Sequence, residues 1–446
     1  MRTLLSSLLR LAIRIFFRRV EIVGAERVPA QGPVVFVLNH PNGLIDPAVL
    51  LCLAPRRVSF LAKAPLFRMP LVGLWCRAFD AIPVHRKQDP GSEMTRNRET
   101  FDAARGVLVR GGAIALFPEG TSHSDPKLKP LKTGAARIAL GAAAALPQDL
   151  PLTIVPAGLY YRAKQTFRSA ALLRYGDPLP VERLVQAPGA EPPADAVRAL
   201  TDQLEAALAK VTLQAEEGEA HALVARAQRI LSTADAAPAQ PLSLAEEFEL
   251  KRRILEGYEA GRRRWPDRIA AIVARMERYE AAIAAAGIDS RHLSHRSWSF
   301  GRITSYSLRS LLYVLLLLPF AIAGLIIHYP AYRVTGWVAT GISKGAMDAL
   351  ATVKVLAAML LFPITWAGID TYVALRWGVG PALIALALLP LSGYAALRLV
   401  EQLDRLIGAT RALVMVVFRK WMFLRLTAER RGIREEIVRL GEDLAR

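Results

Sequence analysis

The apolar positions of this chain change their period as the sequence advances. Over residues 1–20, MRTLLSSLLRLAIRIFFRRV, Leu5, Leu8, Leu9, Ala12 and Phe16 line one side of a helix, and Arg10, Arg14 and Arg18 line another. The pattern predicts a basic amphipathic helix on a membrane surface; the alternative is an ordinary first helix docked on a core. Arginines interrupt the apolar stretch and no A-x-A site follows, so a secretory signal peptide is not expected.

Residues 21–190 carry short apolar runs instead: PVVFVLN (33–39), VSFLAK (58–63), AIPVHR (81–86), GAIALFP (112–118), LTIVPAGLYY (152–161) and LLRYGDP (172–178). These read as buried strands. Helical stretches such as MTRNRETFDAARGVLVRGG lie between them. The alternation predicts an α/β domain, a mostly parallel or mixed sheet flanked by helices. Residues 191–300 turn rich in Ala, Glu, Arg and Leu at helical period, with Pro238 and Pro241 breaking the region in two. Residues 301–446 are membrane-like. Uncharged stretches near 310–327 and 378–399 are long enough to span a bilayer, and a further apolar stretch lies near 355–371. Arg-rich flanks on both sides predict that both face the cytoplasm, and hence an even number of crossings.

Composition narrows the classes. At about 150 residues per domain, 446 residues allow about three units. Hydrophobic residues are 53% and charged residues 22%, too apolar for a disordered chain. Lys and Arg number 58 against 39 acids, a net charge of +19. That balance suits anionic lipid, nucleic acid or phosphorylated substrates. The basic residues are dispersed around apolar spans with no aromatic-interleaved patch, so the partner expected is a phospholipid bilayer and not nucleic acid. Two cysteines, Cys52 and Cys76, exclude a disulfide scaffold or a zinc-finger architecture.

Two constellations stand where chemistry is expected, at the carboxyl ends of predicted strands. The first is Asn39-His40-Pro41-Asn42-Gly43-Leu44-Ile45-Asp46. An imidazole acting as a base needs a partner on its other nitrogen, and the Asn-Gly turn can fold Asp46 back to supply one. A structural histidine is the competing account. The second is Phe117-Pro118-Glu119-Gly120-Thr121, a turn that presents a carboxylate and neighbouring amides; a plain strand-to-loop turn competes with it. Further along, Lys132-Thr133-Gly134 opens a helix, a place that favours phosphate, although the upstream glycines of a Walker A loop are missing. Lys127 and Lys129 read as a solvated rim.

In this order the motifs resemble the glycerol-phosphate / lysophosphatidic acid acyltransferase family. That family carries His-x4-Asp, then Gly-x-x-Phe-Ile-x-Arg, then Phe-Pro-Glu-Gly, then an apolar strand with Val-Pro. The likeness spans roughly the first 190 residues and is greatest to the yeast-type dual glycerol-3-phosphate / dihydroxyacetone-phosphate acyltransferases and their bacterial relatives. Three departures are visible: five residues separate His40 from Asp46, Asp80 and Pro83 replace the Gly and Phe of the second block, and Ser122-His123 stand where many members have Arg. The resemblance implies a membrane-bound enzyme moving a fatty acyl group from acyl-CoA or acyl carrier protein to a glycerol-phosphate hydroxyl, with no bound cofactor or metal. His40 would be the base and Asp46 its orienting partner. Arg86, Glu119, Gly120, Thr121 and Lys132 would bind substrate. A lysophospholipid acceptor, or a non-catalytic lipid-binding or scaffold protein that keeps the fold, are the alternatives. The Ala/Arg-rich composition points to a bacterial inner membrane with the catalytic domain cytoplasmic.

Overall fold

The computed structural model describes residues 2–85, 94–125, 127–183, 191–216, 218–232, 242–286, 300–343, 347–418 and 420–445. The chain divides into two compact units. Unit 1 comprises Met1–Gln214 and Ile342–Val355; unit 2 comprises Ala215–Gly341 and Leu356–Arg446.

Unit 1 opens with helix α1 (Arg2–Phe16), which gives way at once to strand β1 (Phe17–Val23). The helix is therefore shorter than its amphipathic pattern predicts, and its face is rotated. Leu9, Ile13 and Phe16 point into the core, while Leu4, Leu8, Leu11 and Ile15 are exposed alongside Arg10 and Arg14. Then follow β2 (Val34–Leu38), α2 (Ile45–Leu53), β3 (Ser59–Lys63), α3 (Pro70–Ala78), β4 (Ile82–Val84) and α4 (Met94–Val109). After these come β5 (Ala113–Leu116), α5 (Gly134–Ala145), β6 (Thr153–Tyr161), β7 (Ser169–Tyr175), β8 (Leu179–Pro180) and α6 (Ala194–Val211).

Among the described residues the strands form one eight-stranded sheet in the order β1-β7-β6-β2-β5-β3-β4, with β8 also on β6. Strands β6, β2, β5, β3 and β4 run parallel to one another, β7 is antiparallel to β6, and β1 is parallel to β7, so the sheet is mixed. The central strand β2 is an unbroken apolar run because both its faces are covered; all five of its residues are fully buried. On one face Val35, Val37, Ile114 and Ile154 pack with Ile138 of α5 and Leu204 and Leu208 of α6. Each such side chain contributes about 1.5–3 kcal/mol by leaving water. Helix α6, which the sequence pattern assigns to a separate helical region, is thus part of the wall of this sheet. The common direction of the five parallel strands puts the ends of β2, β5, β6 and β4 at one edge, where the two motifs emerge.

Unit 2 is helical: α7 (Gly218–Ser232), α8 (Leu244–Arg264), α9 (Pro266–Ala285), α10 (Phe300–Ser343), α11 (Met347–Trp377), α12 (Val379–Phe418) and α13 (Lys420–Ala445). The first turns of α11 belong to unit 1. Helices α7, α9 and α13 share a core of Ile230, Ile272, Met276 and Ile433, rimmed by ion pairs from Arg275 to Glu429 and Glu436. Helix α8 starts in a capping box, Ser243 and Glu246 each satisfying the other's backbone amide. Among the described residues three segments are long and apolar enough to cross a membrane: Leu311–Ser343, Leu350–Trp377 and Val379–Leu403. They overlap the stretches expected from the sequence, and each runs further at its C-terminal end. Their large side chains stand outward, Leu316 at 70% and Leu375 at 82% exposure, as lipid-facing residues do. Inside this trio the Trp366 indole N–H donates to His328 Nε2 at 2.8 Å, and Gly324 lies against the Ser392 carbonyl so closely that a side chain there would collide with it.

Candidate active site

His40 stands two residues beyond the last residue of β2. The intervening Asn39 anchors this exit: its side-chain amide donates to the Leu159 carbonyl at 3.1 Å and its Oδ1 accepts the Leu159 N–H at 2.7 Å. Asn39 thus extends the pairing of β2 with β6 by one more rung, and the direction of the His40 backbone follows from it. Gly43, at φ +47°, turns the chain, and the Ile45 N–H closes the turn on the Asn42 carbonyl at 3.0 Å. Asp46, in the first turn of α2, is brought back beneath His40.

The Asp46 carboxylate is fully buried and accepts three hydrogen bonds. His40 Nδ1 meets Oδ2 at 2.8 Å, the Asn42 N–H donates to the same oxygen at 2.7 Å, and the Tyr161 hydroxyl donates to Oδ1 at 2.7 Å. The dyad therefore forms despite the additional residue in its spacing, because the extra length is taken up in the Asn42-Gly43 turn. With Nδ1–H donated to Asp46, the Nε2 lone pair of His40 is left over, and it has no protein partner among the described residues. Burial first, and then the Asp46 carboxylate, hold the Tyr161 pKa well above the ordinary tyrosine value. This hydroxyl is a permanent donor.

The second motif lies behind the first. The Phe117 ring stacks on the His40 imidazole, centroids 4.1 Å apart and planes 17° apart. Glu119 points inward with its side chain fully buried. Its Oε1 accepts the His40 backbone N–H at 2.9 Å, and its Oε2 accepts the Lys129 N–H at 3.0 Å and pairs with His123 Nε2. The Asp125 N–H donates to His123 Nδ1 at 3.2 Å, which makes Nδ1 the acceptor and places the ring proton on Nε2, facing Glu119. The His123 N–H also donates to the His40 carbonyl at 3.1 Å. Glu119 is thus a buried knot that holds the backbone of His40 from behind, and both its oxygens are occupied by the protein. The resemblance implies a substrate-binding role for Glu119; in the structure its oxygens face the protein's own donors.

Of the other expected residues, Gly120 has φ +71°, and its N–H closes the turn on the Phe117 carbonyl at 3.0 Å, so this amide is not offered to a ligand. The Thr121 amide has no internal acceptor among the described residues. The Thr121 hydroxyl donates to the Ser122 carbonyl at 3.3 Å. Lys132 is tied by its backbone N–H to the Pro118 carbonyl at 2.8 Å, and its Nζ lies where a Gly120 Cβ would come within 2.5 Å. A side chain at position 120 would make the lysine shift, and the positive φ there favours glycine. Lys132 is exposed and has no acidic partner among the described residues. Arg86 lies outside the described residues. Residues that sequence reasoning did not single out complete the surroundings: Tyr161, and Lys164, whose Nζ donates to the Pro41 carbonyl at 2.8 Å and to Ser124 Oγ at 2.6 Å. Among the described residues no group of three His, Cys, Asp or Glu is arranged to hold a metal ion.

Comparison with known proteins places this geometry. A family profile described as Acyltransferase matches residues 19–160, and one described as Glycerol-3-phosphate acyltransferase 2 C-terminal domain matches residues 224–445. The chain is 27% identical over 336 residues to an uncharacterized acyltransferase of Schizosaccharomyces pombe, covering 56% of this chain and 49% of that protein. It is 26% identical over 456 residues to Glycerol-3-phosphate O-acyltransferase 1 of Saccharomyces cerevisiae, covering 80% of this chain and 59% of the relative. The chain thus spans about half the length of these curated relatives. Among solved structures, the 1-acyl-sn-glycerophosphate acyltransferase PlsC of Thermotoga maritima is similar at 19% identity and a TM-score of 0.34, over 47% of this chain and 79% of that one. With an acyltransferase domain around the His40–Asp46 pair and a C-terminal domain of the glycerol-3-phosphate acyltransferase type behind it, the chain belongs to the glycerol-phosphate acyltransferase family.

Proposed function

We propose that the chain transfers a fatty acyl group from a thioester, acyl-CoA or acyl carrier protein, to the sn-1 hydroxyl of glycerol-3-phosphate or the hydroxyl of dihydroxyacetone-phosphate, at the surface of a bacterial inner membrane. The observation that carries this reading is the His40–Asp46 dyad with Nε2 left free. The acceptor hydroxyl gives its proton to His40 Nε2 as its oxygen attacks the thioester carbonyl carbon. The C–S bond then breaks, and the departing thiolate takes the proton from the imidazolium. Asp46 keeps the proton of the resting imidazole on Nδ1 and stabilises the cation that forms. The thioester is already activated, so the scheme uses neither a covalent enzyme intermediate nor a bound cofactor.

Lys132, exposed beside Gly120, suits the acceptor phosphate, and the open Thr121 amide suits the phosphate or the developing oxyanion. The printed name of the yeast relative supports a glycerol-3-phosphate acceptor. The test is thiol release from a long-chain acyl-CoA by detergent-solubilised protein, run in parallel with glycerol-3-phosphate, dihydroxyacetone-phosphate and lysophosphatidate. Release should depend on one of the first two acceptors and fall about 10²–10⁴-fold in His40→Ala and Asp46→Asn. Release with lysophosphatidate alone would reassign the acceptor, and release unchanged in both variants would remove the dyad from the mechanism.

A further inference from the structure

Residues roughly three hundred positions along the chain grip the turn that carries the dyad. Within unit 1, Thr352 on α11 is 8% exposed, and its Oγ1 accepts the Leu44 N–H at 3.0 Å. Leu44 is the N-cap of α2, and its amide belongs to the helix-start donors that find no acceptor inside their own helix. Two residues on, Lys354 Nζ donates to the Gln165 carbonyl at 3.0 Å. Gln165 adjoins Lys164, whose ammonium holds the Pro41 carbonyl and whose own carbonyl accepts from the Asn42 side chain at 3.3 Å. The stretch 352–354 therefore ties down both the 39–46 turn and the loop that braces it. The His40–Asp46 contact is closed across Asn42-Gly43, a dipeptide with little stiffness of its own, so its geometry depends on such outside ties.

We propose that Thr352 and Lys354 are positioning residues for acyl transfer: through the Leu44 amide and the Gln165 carbonyl they hold the turn in the shape that keeps Asp46 on His40. The inference rests on the reading of the dyad given above. It makes the start of the second apolar helix part of the catalytic apparatus, although neither residue touches substrate.

The test uses the full chain in detergent. Thr352→Val keeps the side-chain shape but removes the acceptor. It should lower kcat about tenfold and leave the acceptor KM within about twofold. Thr352→Ser should restore most of the rate, and Lys354→Met should lower kcat in the same way. In an Asp46→Asn background Thr352→Val should add nothing, because the geometry it protects is already without use. Thr365→Val, which loses a similar hydroxyl later on the same helix, should match wild type. Unchanged kcat in both Thr352→Val and Lys354→Met, or a loss that multiplies with Asp46→Asn, would overturn the proposal. If Thr352→Val folds poorly, Lys354→Met carries the comparison alone. If wild type releases no thiol with any acceptor, the acyl-transfer reading fails by itself. Hydrogen exchange of residues 39–46 then decides the tie: faster exchange in Thr352→Val supports it, and unchanged exchange sinks it.

Discussion

Replacing Glu119 by Gln separates a buried support from a substrate ligand. The carboxylate accepts from three donors: the His40 N–H, the Lys129 N–H and the His123 Nε2–H. A glutamine amide can be placed in two orientations. With its nitrogen at the Oε1 position it opposes the His40 N–H; with its nitrogen at the Oε2 position it opposes both Lys129 and His123. Moving the His123 proton to Nδ1, 3.5 Å from the Asp125 carboxylate, would relieve His123 but not the Lys129 N–H. At least one buried donor is left without an acceptor in either case, at about 1–3 kcal/mol, and the remaining bonds lose the strengthening that a charge provides. A total near 3 kcal/mol should lower the melting temperature by about 6–12 °C for a domain of this size. The assay is a thermal melt of the purified protein in detergent, paired with the acceptor KM measured well below the transition. The expected result is a large fall in melting temperature with KM little changed. A melt within a degree of wild type together with a raised KM would refute this reasoning and return Glu119 to the substrate.

Two further substitutions or conditions test the same neighbourhood. Tyr161→Phe deletes the donor to Asp46 Oδ1 and should reduce kcat/KM by about tenfold; because the hydroxyl stays protonated far above neutrality, the loss should be the same at pH 7 and pH 9, and a loss that varies between them would contradict the assignment. Burial pushes the Cys52 thiol up to about 12 from its usual 9.0, against the opposing influence of Arg10, so iodoacetamide at pH 8 should label it only after unfolding. The unfolded chain ionises first, so this group's contribution to stability is complete below pH 9 and declines as the pH rises towards 12; rapid labelling of native protein at pH 8 would count against it.

What could be read from the sequence was local. Strands β2, β5 and β6 announce themselves because they are covered on both faces and so are apolar throughout. The dyad was legible because one turn joins its two members. Strand β1 was not legible, since it lies at the sheet edge beside β7, alternates Arg18, Arg19 and Glu21 with apolar residues, and continues an arginine-rich helix without a break. The burial of Glu119 was hidden for another reason. Pro-Glu-Gly forms the same turn whether the carboxylate faces water or the chain, and only the return of the backbone at His123 and Lys129 decides between them. Tyr161 and Thr352 meet the His40–Asp46 turn across 115 and 308 positions, and no local spacing could report such contacts. The boundary at residue 190 came from composition, which does not distinguish a helix packed on a sheet from one packed on other helices.

Helices α9 and α13 have one consequence for topology. One precedes the apolar trio and the other follows it, yet Ile269, Ile272 and Met276 share a core with Leu426, Ile433 and Leu440. A thread sewn through a cloth ends on its starting side only after an even number of stitches. Among the described residues three helices are long and apolar enough to be stitches. For a chain held in a bilayer by these three helices alone, parity gives complete passages to two of them, out and back.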